Sequence, residues 1–268
     1  MRDFVVYGVG ELGKLLATAA LHRGMRVTPI TRASQPDAQL RQIAPGTPVL
    51  VSVAEHDLDT ALAALPSSHR SGVILLQNEL FPSSWQAHGL SPSVLVPWLL
   101  QKRGVPTQVV RPSPIYGAQA ALLAELLDAI SVPHELLQDE AELAQALVDK
   151  YGFVITINAL GIAVDRTLGL WLQEDPAQVW DICEEALLLG EALVGRPIDR
   201  AQAHAAAEQG MRALGQTPAR GRTAAGRVAR AVAQAQRLGL SLPLLTRIAA
   251  VSAHASAAPS RSVPPRHG

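Results

Sequence analysis

A short apolar run, Phe4-Val5-Val6-Tyr7, leads directly into Gly8-Val9-Gly10-Glu11-Leu12-Gly13, and a helical pattern of apolar residues follows. This G-x-G-x-x-G array sits where its chemistry needs it, after a buried strand and at the opening of a helix. Gly8 permits a tight turn, Gly10 has no Cβ to hold a pyrophosphate off the backbone, and Gly13 lets the helix pack close to the sheet. The first helical turn, through Glu11 and Leu12, then offers free N–H groups to the phosphates. A glycine-rich turn alone is weak evidence, but a second strand, Arg26 to Ile30, follows at βαβ distance. The pattern therefore predicts a dinucleotide-binding unit rather than a bare strand–turn–helix.

The first half of the chain continues this alternation. Short apolar strands are predicted at 3–7, 26–31, 48–53, 72–77 and 93–97, with helices at 11–23, 35–43 and 56–65 between them. Two strand-like pieces at 107–110 and 113–115, a helix at 118–130 and a last strand-like piece at 132–136 follow. Apolar strands separated by helices imply a parallel sheet covered on both faces. After Asp139 only helical periodicity remains, at 139–157, 160–173, 175–194, 199–214, 218–239 and 243–255. The expected fold class is thus α/β, with an N-terminal Rossmann dinucleotide-binding domain (1–137) followed by an all-α substrate domain (138–256). The Ser/Pro/Arg-rich stretch 257–268 has the composition of a disordered tail.

Composition narrows the function classes. Formal net charge is zero and only 17% of residues are charged, so no global field draws the chain to nucleic acid or an anionic membrane. The single cysteine, Cys183, excludes an internal disulfide framework and a cysteine-built metal site, and reads as a packed side chain. The N-terminus is a strand rather than a signal peptide, and no apolar run reaches membrane-spanning length. The expectation is a soluble, cytoplasmic protein that binds small molecules, without nucleic-acid or membrane partners. An exposed apolar face on the helical half would support a homodimer, although periodicity alone does not separate such a face from core.

Charge is nonetheless unevenly placed. Glu125 to Glu191 holds 14 acidic residues against two basic ones, and nine arginines follow Glu208 with no acid among them. Arg220, Arg227, Arg230 and Arg237 share one stripe of a helix. The stripe reads as a solvated face or as the partner of the acidic helices; the competing reading is an anion-binding surface.

Three places carry candidate chemistry. At the end of the second strand stands Pro29-Ile30-Thr31-Arg32-Ala33-Ser34, with no carboxylate before Asp37. An acid there would hydrogen-bond the ribose 2′-OH of NAD, whereas Arg32 can fork onto a 2′-phosphate with Thr31 or Ser34 donating a hydroxyl. NADP(H) is therefore the expected cofactor, the alternative being a surface arginine. Asn78 lies at the carboxyl end of the fourth strand, where ligands of open α/β sheets sit, or else simply caps a loop. Lys150 and Asn158 are eight apart, hence on one helix face, among Phe153, Val154, Ile155 and Ile157. A lysine and an asparagine on so apolar a helix need a partner, a wet cleft or a ligand. Such a lysine suits proton donation to a carbonyl oxygen as hydride reaches its carbon.

With these residues the chain resembles the ketopantoate reductases (2-dehydropantoate 2-reductases). Their helical C-terminal domain is of the 6-phosphogluconate dehydrogenase kind. The resemblance spans nearly the whole chain and rests on Gly8, Gly10 and Gly13, on Arg32, Asn78, Lys150 and Asn158, and on the stretch Gln236 to Pro243. It implies NADPH-dependent reduction of a small 2-oxo acid, with Lys150 as general acid and Asn78 and Asn158 lining the nicotinamide and substrate pocket. Three positions depart from the family. Val154 stands where the family has a further asparagine. The family's late-helix glutamate, which faces the substrate, falls near Thr223. Ser52-Val53-Ala54-Glu55 lacks the family's basic residue after the third strand. These departures point to a substrate other than ketopantoate, and leave open a sensor or scaffold that binds NADP without turnover.

Overall fold

Strand β1 (Asp3–Tyr7) lies between β2 (Arg26–Ile30) and β3 (Val49–Val51) in the computed structural model. The structure describes residues 1–101, 104–164, 166–219, 221 and 223–257, with side chains to 253. Beyond β3 the sheet continues through β4 (Val73–Leu75), β5 (Ser93–Leu95), β8 (Ser113–Tyr116) and β9 (His134–Leu136). The two remaining strands, β6 (Leu99–Leu100) and β7 (Gln108–Val109), form a separate antiparallel ribbon.

Pairing is parallel throughout the large sheet except at β5–β8, where Leu95 faces Ile115 in antiparallel register. The expectation of a uniformly parallel sheet is corrected at this junction. Parallel neighbours require a long crossover, usually helical, whereas the β6–β7 ribbon returns the chain from the opposite direction. The strand-like piece expected at 107–110 is β7 of this ribbon, outside the large sheet.

Period-two alternation explains how the sheet is covered. Phe4, Val6, Leu50 and Ile74 point to one face, packed by α1 (Glu11–His22) and α5 (Ala120–Asp128). Val5, Val49, Val51, Val73 and Leu75 point to the other, where the core runs on into the helical half. Short helices α2 (Pro36–Leu40), α3 (Leu58–Ala63) and α4 (Pro82–Gln86) complete the first half.

Helix α6 (Glu140–Ala163) is the axis of the second half. Asp139 caps it, its carboxylate accepting from the amides of Ala141 (2.8 Å) and Glu142 (2.9 Å). The helix is apolar on nearly every side because other helices surround it: α8 (Pro176–Val194), α9 (Arg200–Ala213), α10 (Ala224–Arg237) and α11 (Pro243–Ala257). It is one continuous element where the sequence suggested a break near 158. Asn158 keeps the helical path by donating from Nδ2 to the Val154 carbonyl (2.6 Å). The helix ends at Ala163, and the next, α7 (Leu168–Glu174), is capped by Thr167. Among the described residues α6 is also the one helix long and apolar enough to cross a membrane, and 83% of its most apolar stretch is buried in the protein. Arg220 and all but the first residue of the predicted 257–268 tail lie outside the described residues.

Candidate functional site

The glycine array forms a turn that the surrounding backbone leaves no room to alter. Gly8 adopts φ 95°, and its N–H donates to the Ile30 carbonyl at 2.9 Å. A Cβ on Gly8 would stand 2.6 Å from the Ser52 carbonyl oxygen, and one on Gly13 would stand 2.2 Å from that of Gly8. At Gly10 an added Cβ would meet nothing within 4 Å, because Gly10 borders an open cavity of about 980 Å³. Gly8, Val9, Thr31 and Arg32 line the same cavity. Gly13 packs beneath the turn, and Glu11 and Leu12 form the first turn of α1 outside the cavity wall. A cradle that a Cβ would fill, at the N-terminus of a helix, fits a dinucleotide pyrophosphate.

At the far end of this cavity the Thr31 amide donates to Ser34 Oγ (3.0 Å). Arg32 is 92% exposed, with Nη2 at 3.5 Å from the Asp57 carboxylate. Asp57 comes from the turn after β3 and also lines the cavity, so an acid reaches this position from an unexpected element. Burial raises the Tyr7 phenol above its ordinary range, and the Asp57 charge adds to that.

The loops after β3 and β4 sit at the carboxyl edge of the sheet. Gln77, buried, ties them together by donating from Nε2 to the carbonyls of Val51 (2.8 Å) and Val53 (3.4 Å). Asn78 follows in a turn, half-buried, and is not part of the wall of the 980 Å³ cavity. Glu79 comes next. Its carboxylate accepts from Arg230 Nε (2.8 Å) and Nη2 (2.6 Å), while Glu55 accepts from Arg227 Nη2 (3.0 Å). Among the described residues, two arginines of the stripe, Arg227 and Arg230, therefore pair with acids of the first half and not with the acidic helices. Arg237, further along, is exposed.

Lys150 is buried on α6, its Nζ 4.6 Å from the centroid of the Trp98 ring and 5.5 Å from that of Phe153. Arg111 covers the Trp98 ring as well, at 4.9 Å. Burial, then the charges of Arg227 and Arg111, lower the ammonium to about 7. The next residue back, Asp149, faces elsewhere, accepting from Gln145 (2.7 Å) and Gln202 (3.1 Å), and burial raises its carboxyl. Asn158 lies two turns beyond Lys150, buried, and a Cβ on Gly221 would stand 3.1 Å from its Oδ1. Thr223, predicted to face the substrate, is exposed at the start of α10 and makes no capping bond. The α10 side chain that acts on Lys150 is Arg227, one turn further on.

Trp98, Arg111, Glu79 and Arg227 were thus missed as site residues in the sequence. Only Arg227 left a usable signal there, as a member of the stripe at the helical spacing from Thr223. The others are brought in by loops whose course no periodicity encodes. Among the described residues no group of acidic, histidine and cysteine side chains could hold a metal ion.

No family model matches the chain, and no curated protein matches it. Solved structures do. A PanE/ApbA family ketopantoate reductase from Ralstonia eutropha JMP134 superposes with TM-score 0.65 at 20% identity, over 94% of this chain and 98% of that one. A ketopantoate reductase from Staphylococcus aureus, described as dimeric, gives 0.61 at 15% identity, over 95% and 99%. D-mandelate dehydrogenase in complex with NADH gives 0.64 at 12% identity, over 95% and 98%. Over these shares of its length, then, this chain has the fold of the ketopantoate reductases and of D-mandelate dehydrogenase: a Rossmann-type, mostly parallel sheet followed by a helical domain.

Proposed function

We propose that this chain is an NADPH-dependent reductase of a small 2-oxo acid or related carbonyl, with Lys150 as the proton donor. The observation that carries the reading is the Lys150 amine, buried beside Trp98 and lowered to about 7, in a fold shared with 2-oxo acid reductases. A general acid works best when its pKa lies near the working pH, and burial supplies that here. The nicotinamide, when bound, supplies the hydride. Gly8, Val9 and Gly10 would hold the pyrophosphate, and Arg32, Thr31 and Ser34 the adenosine end. A 2′-phosphate would replace Asp57 as the partner of Arg32, which supports NADPH over NADH. Asn78 and Asn158 orient the carbonyl, and Thr223 borders the substrate from α10.

Arg227 and Arg230 of α10 face Glu55 and Glu79 rather than a run of open surface, which speaks against nucleic acid as the ligand. A homodimer is proposed by likeness to the dimeric Staphylococcus aureus reductase, and the cytoplasm as the place of action. NADPH oxidation should be measured against a panel of 2-oxo acids. Turnover that Lys150→Ala abolishes, with nucleotide affinity retained, is the expected result. The second reading, an NADP-binding sensor, draws on Thr223 and Val154 standing where the family has polar site residues. It would be upheld by tight NADPH binding with no carbonyl reduced.

A further inference from the structure

Arg227 has more hydrogen-bonding capacity than its surroundings use. A guanidinium carries five N–H donors. Among the described residues one of them is hydrogen-bonded, Nη2 to Glu55 at 3.0 Å. Its Nε is buried and stands 3.5 Å from Glu79 without the alignment of a hydrogen bond. Glu79 is already gripped twice by Arg230, so it does not saturate Arg227. The Arg227 side chain is only 13% exposed, and a buried, unsatisfied donor of this kind is costly to maintain without a ligand.

Its placement is specific. Helix α10 packs on α6, the helix that carries Lys150 and Asn158, and a Cβ built on Gly221, three residues before α10, would stand 3.1 Å from Asn158 Oδ1. Among the described residues no carboxylate acts on Lys150; the charges that do are those of Arg227 and Arg111. The rings of Trp98 and Phe153 lie against the amine. A 2-oxo acid that presents its carbonyl oxygen to Lys150 must put a carboxylate one bond away, and a fork of free N–H donors on the helix packed against α6 matches that group.

We propose that Arg227 is the anchor for the substrate carboxylate, and that it exchanges Glu55 for the substrate when the ligand binds. The inference rests on the reductase reading for the identity of the ligand, but its binding test does not depend on turnover. Glu55 is then a competitor for the guanidinium, held ready on the loop after β3. Carbonyl compounds without an adjacent carboxylate leave the fork unpaired and bind poorly.

The test is calorimetric titration of oxamate, a non-reducible isostere of a 2-oxo acid, and of neutral oxamide, into the full chain in the presence of NADPH. Arg227→Gln should weaken oxamate about ten- to a hundredfold, the loss expected for charge-assisted hydrogen bonds, and leave oxamide unchanged. Arg227→Lys keeps the charge without the fork and should fall between the two. Glu55→Gln should tighten oxamate, because the competing carboxylate is gone. A merely structural ion pair predicts the reverse, with both variants weakening binding together. Unchanged oxamate affinity in Arg227→Gln, weaker binding in Glu55→Gln, or no oxamate binding to the wild type would each overturn the proposal. Arg227-dependent oxamate binding with no 2-oxo acid reduced would uphold the anchor and overturn the reductase reading instead.

Discussion

The Arg230 guanidinium grips the Glu79 carboxylate through Nε at 2.8 Å and Nη2 at 2.6 Å, and so ties α10 to the loop that follows β4. The bridge is anchored at the residue next to Asn78. Glu79 is 6% exposed and Arg230 39%, so the two ends of the bridge are not equivalent.

Removing the acid should therefore cost more than removing the base. Glu79→Gln leaves two arginines facing a neutral amide, and is expected to lower stability by about 1–3 kcal/mol. Arg230→Ala leaves Glu79 with Arg227 at 3.5 Å, and should cost less. Paired urea denaturation curves give the order directly; a larger loss in Arg230→Ala would show that the bridge is held by its exposed end.

The three glycines of the turn should separate folding from binding. Gly13→Ala forces a Cβ to within 2.2 Å of the Gly8 carbonyl oxygen, a backbone atom that cannot step aside. It should unfold the first βαβ unit or lower the melting temperature sharply. Gly10→Ala meets no atom within 4 Å, so its melting curve should match the wild type. Its NADPH affinity should fall about tenfold or more, because the methyl group enters the pyrophosphate cradle. Thermal melts with and without NADPH read both effects.

Lys150 links pH to activity and to stability in opposite senses. Its amine is lowered to about 7 in the folded protein, against 10.5 ordinarily. Carbonyl reduction needs the protonated form, so the kcat of reduction should fall as pH rises through about 7. Between about 7 and 10.5 the unfolded chain binds the extra proton, so this group's contribution to stability rises with pH across that window. Below about 7 both states are protonated and the destabilisation is complete. Lys150→Met removes the buried charge, and should raise the melting temperature at pH 6 more than at pH 10.

Arg32 and Asp57 should set the choice of nucleotide together. Their contact is 3.5 Å long and well exposed, so breaking it costs little stability. Arg32→Ala should weaken NADPH about tenfold and leave NADH nearly unaffected, while Asp57→Asn should strengthen NADPH by releasing the guanidinium. Fluorescence titration with both nucleotides checks this. Equal losses for the two in Arg32→Ala would remove Arg32 from 2′-phosphate recognition.

By itself the sequence determined whatever depends on neighbours along the chain. The strand–turn–helix at Gly8–Gly13, the alternation of β1 to β4 with their helices, and the shared face of Lys150 and Asn158 follow from short-range periodicity and from the steric limits of glycine, whereas α4 and β6 were too short to register. The break placed near Asn158 failed because a polar side chain inside a buried helix can bond back to its own turn, at Val154, and leave no mark on the pattern. Tertiary structure alone decided the antiparallel β5–β8 pair, since the loop path that reverses direction carries no periodic signal. It also decided the electrostatics of the site. Glu79 and Arg230 are 151 positions apart, and Trp98, Arg111 and Arg227 reach Lys150 from three separate elements. A lysine's place on a helix face is local geometry, but its pKa is the sum of burial and of charges that only the folded chain brings within range.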